Sequence, residues 1–336
     1  MLRIRLSAWR LGSAGAFALP VLLVLGLGLG AAFQWPPPPP PVDSEQDPAA
    51  GQFTVNVDLV VLHATVRDRK GHIVADLQKE HFEVFEESVR QSLQLFLRED
   101  IPVTVGLVVD HSGSMKSKFG DVLAAARAFA HSSNPKDEMF VVNFNENVSL
   151  GLPDSLPFTI DTDELERAIA ATPVTGQTAL YDAVGKSLDQ LQQASRDKKV
   201  LIVISDGGDN ASSLTLNQVL KLAQQSSALI YTIGIFDDAD EDRNPSVLRR
   251  LASASGGETH FPSASSDLAE VCSRIALDIR NQYTIGYVSG NEAKPGTYRS
   301  IRVVAKTPRQ RRLFVHTRSG YVSAGTPQPV KDPGSP

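Results

Sequence analysis

The stretch "LVVDHSGSMKSK", residues 107–118, is an apolar run that ends on an acid and breaks into hydroxyl residues and a glycine. Three chemistries compete for such a break: a phosphate-cradling turn, a nucleophilic serine beside its own His and Asp, and an oxygen-rich metal site. A phosphate turn uses glycines, often with a lysine, so that backbone N–H groups can approach the anion. Here Gly113 stands alone, Asp110 would repel phosphate, and GxxxxGK[ST] occurs nowhere in the chain. Asp110, His111 and Ser112 look like a miniature triad, but consecutive residues at a strand end point in different directions and cannot relay a proton. Ser114 also lacks the glycine two residues earlier that a nucleophile elbow requires, since Ser112 stands there.

The metal reading accounts for more. In D-x-S-x-S the carboxylate of Asp110 and the hydroxyls of Ser112 and Ser114 alternate, so all three address one point where a strand opens into a loop. These are hard oxygen donors, which select Mg²⁺, Mn²⁺ or Ca²⁺ over zinc. Three ligands are too few for an octahedral ion, so neighbouring loops must add oxygens. "TGQTALYDA" (175–183) offers Thr178 just before a helix, and "ISDGGDN" (204–210) offers Asp206 just after a strand.

The surroundings of these loops give the fold. Buried-type runs "VTVGLVVD", "MFVVNF", "KVLIVISDG" and "ALIYTIGIF" alternate with amphipathic segments such as "FGDVLAAARAFAHSS", "ALYDAVGKSLDQLQQAS" and "TLNQVLKLAQQSS". Continuous apolar strands separated by helices predict a doubly wound, mostly parallel α/β sheet over residues 101–282, covered on both faces. Ligands of such sheets bind beyond the carboxyl ends of the strands, where Asp110 and Asp206 fall. Residues 52–100 and 283–322 read instead as short strands with Gly and Pro turns. Neither flank holds enough strands for a sandwich of its own, so the two are expected to pair into one small β-domain. The basic "KTPRQRRLFVHTR" (306–318) alternates like a hairpin.

Asp110, Ser112, Ser114, Thr178 and Asp206 together resemble the metal-ion-dependent adhesion site of the von Willebrand factor A domain, in order, spacing and strand context. "VRDRKGHIVADLQKEHFEVFEE" before the domain, with "YTIGYVSG" and "TRSGYV" after it, is similar to bacterial exported proteins that carry such a domain between β-rich flanks. The resemblance implies a Rossmann-like sheet whose rim holds one divalent cation, Mg²⁺ first, with Mn²⁺ and Ca²⁺ as alternatives. It implies hydroxyl ligation by Ser112, Ser114 and Thr178, and charge from Asp110 and Asp206, directly or through water. It also implies an open coordination position that an Asp or Glu carboxylate of a protein partner fills. The expected function is metal-dependent, non-catalytic protein binding of adhesion type. The alternatives are an envelope scaffold or assembly factor docking a complex subunit through the same site, and a metal-assisted hydrolase. Hydrolysis needs a general base near the ion, and only Asp209 offers itself.

Composition sets the remaining bounds. The chain has 336 residues, 42% hydrophobic and 21% charged, with a formal net charge of −5. Residues 1–32 carry Arg3, Arg5 and Arg10 and no acid, so the rest of the chain is more acidic still, which excludes a phosphate-neutralising nucleic-acid binder. Those 32 residues read as a signal peptide or a membrane anchor: arginines, then "GAFALPVLLVLGLGLGAA", with Gly30 and Ala32 placed for cleavage. Either way the rest is expected to be exported, to a periplasm, cell surface or medium, touching membrane only through that segment. "WPPPPPPVDSEQDPAAG" (35–51), within a linker over 33–51, is a stiff spacer, and residues 323–336 read as a disordered tail. Cys272, the single cysteine, falls on the apolar stripe of a helix with Leu268, Val271, Ile275 and Ile279 and is expected to be buried and inert. His111 is expected at the surface of the rim, and "DDADEDRN" (237–244) as a solvated acidic loop. The histidines show no paired spacing, so zinc is not expected.

Overall fold

A computed structural model describes residues 59–98, 100–236, 243–291, 296–307 and 313–323. The expected signal peptide or anchor (1–32), the linker (33–51), the acidic stretch 237–242 and the tail beyond residue 323 lie outside the described residues. Among the described residues no helix is long and apolar enough to cross a membrane.

The alternation of "LVVLHATVR" becomes strand β1 (Leu59–Arg67), with Val60, Leu62, Ala64 and Val66 buried on one face. A turn comes next, in which the Asp68 carboxylate accepts the N–H groups of Lys70 and His72 (2.8 and 2.9 Å). Strands β2 (Phe82–Glu86), β3 (Val89–Gln91) and β4 (Leu93–Leu97) complete the first flank.

From residue 104 the pattern changes from alternating to continuous. The chain runs through β5 (Thr104–Asp110), α1 (Phe119–Ser132), β6 (Glu138–Phe144), β7 (Val148–Leu150), α2 (Thr162–Ala170), α3 (Leu180–Gln190) and β8 (Lys199–Ser205). It continues through α4 (Leu216–Gln225), β9 (Leu229–Gly234), α5 (Pro245–Ser255), β10 (Thr259–His260) and α6 (Leu268–Arg280). The strands form one six-stranded sheet in the order β10-β9-β8-β5-β6-β7, parallel except for the antiparallel edge strand β7. All seven residues of β5 are buried, as a strand covered on both faces requires. α1 packs on α6 and α2, and α4 on α3 and α5, in two groups that cover the sheet. Local chemistry starts the helices. The Asp161 carboxylate caps α2 through the N–H groups of Asp163 and Glu164, and Thr215 and Gln218 form a reciprocal capping box on α4. Gly106 sits at the sheet centre because a Cβ there would come within 2.4 Å of the Phe140 ring. Cys272 is buried on α6, where burial pushes its thiol up to about 12.

The chain then returns to its beginning. β11 (Tyr283–Val288) inserts between β1 and β4, antiparallel to both, with Leu62 opposite Ile285. β12 (Tyr298–Ala305) pairs with β2, β13 (Phe314–His316) with β1, and β14 (Gly320–Val322) with β12. Two four-stranded antiparallel sheets result, β13-β1-β11-β4 and β14-β12-β2-β3, around a second core that includes Leu62, Phe82, Val84, Tyr283, Ile285, Tyr287 and Ile301. The fold is therefore α/β with a mostly parallel central sheet and antiparallel sheets built from both flanks. One local expectation is not met among the described residues: the strands on either side of residues 308–312, β12 and β13, do not pair as a hairpin. β12 and β13 lie in different sheets, because Val315 pairs opposite Val66 of β1 and packs against the flank core there.

Candidate metal centre

β5 lies at the middle of the parallel sheet with β6 on one side and β8 on the other, so the winding of the chain reverses between β5 and β8. The crevice outside the strand ends at such a reversal is where open α/β sheets bind ligands. Asp110 is the last residue of β5 and Asp206 comes directly after the last residue of β8. Beyond Asp110 the chain tightens into a single helical turn, Gly113–Met115, which brings both serines back over the strand end. The Asp110 Oδ1 accepts the Ser112 N–H (2.8 Å); Ser112 Oγ lies 3.1 Å from Ser114 Oγ; the Ser114 hydroxyl donates to Asp206 Oδ2 (2.5 Å). Four of the five expected residues thus form one continuous run of polar contacts. Asp110, Ser112 and Asp206 are buried and Ser114 is half-buried.

Thr178 reaches the same rim through backbone bonds. Gly113 N–H donates to Gly176 O (3.2 Å), and Thr175 N–H to His111 O (2.8 Å), which ties the 175–178 loop to the serine turn. Asn210 clamps Thr178 from the other side: its Oδ1 accepts the Thr178 N–H (2.9 Å) and its N–H donates to the Thr178 carbonyl (3.0 Å). The Thr178 hydroxyl is left out of these bonds. Helix α3, which begins two residues later, has no capping side chain of its own. The loop after β8 supplies one: Asp209 Oδ2 accepts the Tyr181 N–H (2.9 Å), and Ser212 Oγ accepts the Asp182 N–H (3.1 Å). Asp182 answers by accepting the N–H groups of Ser213 and Leu214, both at 2.8 Å. The two loops that carry Thr178 and Asp206 are therefore locked to each other.

Burial dominates the electrostatics around Asp110, which stands beside a second acid. Burial, with the neighbouring negative charge of Asp206, raises the Asp110 carboxyl to about 6, against the opposing hydrogen bonds from Ser112 and Ser205. Those bonds to Asp110 come from neutral donors. A hard divalent cation suits such a donor set. The Ser112, Ser114 and Asp206 oxygens stand 3.1 and 2.5 Å apart in turn, which gathers hard oxygen donors at one point of the rim. Among the described residues no group of three or more His, Cys, Asp or Glu is arranged to hold a metal.

Several residues at this rim differ from the sequence expectation. His111 is fully buried rather than exposed. Its Nδ1 lies 3.0 Å from Val109 O, its Nε2 lies 2.9 Å from Ile169 O, and its ring meets Phe119 edge-on. It joins β5 to the end of α2 and is not available to a partner. Ser205 was not singled out by the sequence, yet its hydroxyl donates to Asp110 Oδ2 (2.6 Å) and accepts the Gly207 N–H (3.0 Å). Its signal was its place in the S-D-G strand end. Asn210 and Glu146 had no comparable signal, because their roles depend on loops distant in sequence. Glu146 accepts the Gln177 N–H (3.0 Å) and brings a third carboxylate beside Thr178.

The family model for the von Willebrand factor type A domain matches residues 104–274. No curated protein matches the chain. Solved structures of similar fold include a von Willebrand factor type A protein from Catenulispora acidiphila, at 15% identity over 80% of this chain and 74% of that one (TM-score 0.48). Another is the vWF domain of a type V pili tip protein from Porphyromonas gingivalis, at 15% identity over 55% of this chain and 96% of that one (TM-score 0.44). A third is proximal thread matrix protein 1 from the mussel byssus with a zinc-occupied MIDAS motif, at 15% identity over 59% of this chain and 50% of that one (TM-score 0.47).

Proposed function

The chain belongs to the von Willebrand factor type A domain family, and from that premise we propose that it is an exported, non-catalytic protein-binding module that uses one divalent cation, Mg²⁺ first, at the rim of its sheet. Ser112, Ser114 and Thr178 would hold the ion through hydroxyl oxygens, and Asp110 and Asp206 through carboxylates, directly or across water. When bound, the cation supplies an electrophilic position for an Asp or Glu carboxylate of a partner protein. The chain's own residues set up that preference. Neutral hydroxyls stand where further carboxylates would saturate the charge, and the Asp209–Asp182 lock keeps Thr178 and Asp206 at a fixed separation. The observation that carries the reading is the unbroken run of oxygens from Ser112 Oγ through Ser114 Oγ to Asp206 Oδ2, at 3.1 and 2.5 Å.

Binding is preferred to hydrolysis on a specific ground. Asp209 was the one candidate general base, and its carboxylate is engaged by the Tyr181 N–H and the Ser212 hydroxyl at the start of α3. Export rests on the arginine-led apolar segment of residues 1–32.

The test is a thermal melt of the full chain with EDTA, Mg²⁺ or Mn²⁺. A ligand at about a hundred times its Kd adds about 2.7 kcal/mol, a rise of several degrees. Asp110→Ala and Ser114→Ala should abolish the rise while keeping the circular dichroism of the parent. A melt unmoved by either ion would end the metal reading. Partner capture that persists in EDTA would end the carboxylate-bridging part of it.

A further inference from the structure

At the opposite end of the parallel sheet from the metal rim, the first flank sheet covers the start of β8 and encloses a cavity of about 290 Å³. One wall is apolar: Val61 of β1, Leu95 and Leu97 of β4, and Ile101. The other wall is cationic: Arg196, Lys198 and Lys199 from the approach to β8, and Arg318 from the second flank. The polar bonds of these cations go to backbone carbonyls: Arg196 to Lys136 O, Lys198 to Ile279 O, Lys199 to Leu191 O and Arg318 to Val61 O. Among the described residues none of the four is paired with a carboxylate, and the single acid on the lining, Asp197, is exposed. The Nε atoms of Arg196 and Arg318 are both buried with no hydrogen-bond partner. Glu138 lies within electrostatic reach of Arg196, and Asp137 and Asp100 within reach of Lys198. Among the described residues no acid acts on Arg318, whose charge burial disfavours. A cation held without counter-charge is costly, so an anion in the cavity would complete the Arg318 end.

We propose that this cavity binds a small amphipathic carboxylate, its head against Arg196, Lys198 and Arg318 and its short apolar body against Val61, Leu95, Leu97 and Ile101. The planar guanidinium groups of Arg196 and Arg318 suit a carboxylate, and the apolar wall distinguishes such a ligand from an inorganic oxyanion. The electrostatics of the lining agree. Burial lowers the Lys198 ammonium to about 7, and burial with the charges of Lys198 and Arg318 lowers the half-buried His63 on the same lining to about 3. A bound carboxylate would offset the positive charge that Lys198 and Arg318 place on His63.

The test is calorimetric titration of the full chain with hexanoate, hexanol and inorganic phosphate, in EDTA so that no carboxylate is held by a divalent cation at the rim. Saturable hexanoate binding is expected, with hexanol and phosphate at least about tenfold weaker, the loss of one charge-assisted hydrogen bond. Arg318→Gln and Arg196→Gln should each weaken hexanoate by a similar factor. Arg196 is half-buried on a surface loop, so its replacement keeps the test valid should Arg318→Gln fail to fold. Absence of hexanoate binding, equal binding of hexanol or phosphate, or hexanoate binding untouched by Arg196→Gln would each overturn the proposal. Because every arm is run in EDTA, failure here leaves the reading of the metal rim where it stands.

Discussion

Gly176 shows how a single residue shapes the rim. It holds φ +89°, and a Cβ added there would lie 1.7 Å from the Glu146 carboxylate that receives the Gln177 N–H. Gly176→Ala therefore combines left-handed backbone strain with displacement of Glu146. A loss of about 1–3 kcal/mol is expected in urea unfolding, together with weaker Mg²⁺ binding, since Thr178 lies two residues on. A variant as stable as its parent with unchanged Mg²⁺ affinity would show that the loop tolerates the shift. At this scale the five candidate residues were legible because D-x-S-x-S, the Thr178 loop and the S-D-G strand end are local patterns. Ser205, Asn210 and Glu146 were legible only in part or not at all, since each acts on a residue from another loop. His111 misled for a related reason. Its neighbours in sequence are polar rim residues, but its side chain turns inward to the carbonyls of Val109 and Ile169.

At the scale of elements, the start of α3 depends on a loop 28 residues away, through the bond from Tyr181 N–H to Asp209. Asp209→Ala should cost about 1 kcal/mol, as loss of a helix cap does. It should also lower Mg²⁺ affinity in calorimetry, although no ligand role is assigned to Asp209. Unchanged affinity with the cap removed would mean that the two loops hold their separation without the lock. The approach to β8 carries a pH signature of its own. Lys198 is buried, and its folded value of about 7 lies below the ordinary lysine value of 10.5. Between those values the unfolded chain holds a proton that the folded chain has released, so this group adds stability as pH rises from about 7 towards 10.5. Urea midpoints at about pH 7.5 and 9.5, both inside that window, should show the rise, and Lys198→Met should flatten it; an equal slope in both proteins would contradict the assignment. Helices and long strands were legible from their periodicity, whereas the short edge strands β7 and β10 carry too few residues to show a period.

For the whole molecule, the decisive feature is that the β-rich region is assembled from chain segments on either side of the central domain. β1 pairs with β11 and β13, and β2 with β12 and β3, so three of the four pairings made by β1 and β2 come from beyond residue 282. The composite was legible because neither flank alone held enough strands. The placement of β12 and β13 in different sheets was not, because strand alternation says which face is buried and not which neighbour buries it. The flank is also fastened to the central domain. Arg67 of β1 pairs with the buried Asp278 of α6 at 2.5 Å, and Gln282 bridges Thr65 to the Tyr231 hydroxyl of β9. Truncation after Gln282 would remove β11 to β14 and keep both of these ties. If the ties alone held the first flank, residues 59–98 would stay protected. The pairing argues otherwise: β1 would lose every ladder partner, and the core that Val60, Leu62, Ala64 and Val66 share with Phe82 and Val84 would lose Tyr283, Ile285, Tyr287, Ile301 and Tyr321. Limited trypsin digestion with mass mapping should therefore cut the truncated chain at Arg67, Arg69, Lys70 or Lys79 well before the segment 104–280, while the full chain is attacked at those sites far more slowly. Equal resistance of residues 59–98 in both chains would show that the flank folds against the central domain without its C-terminal half.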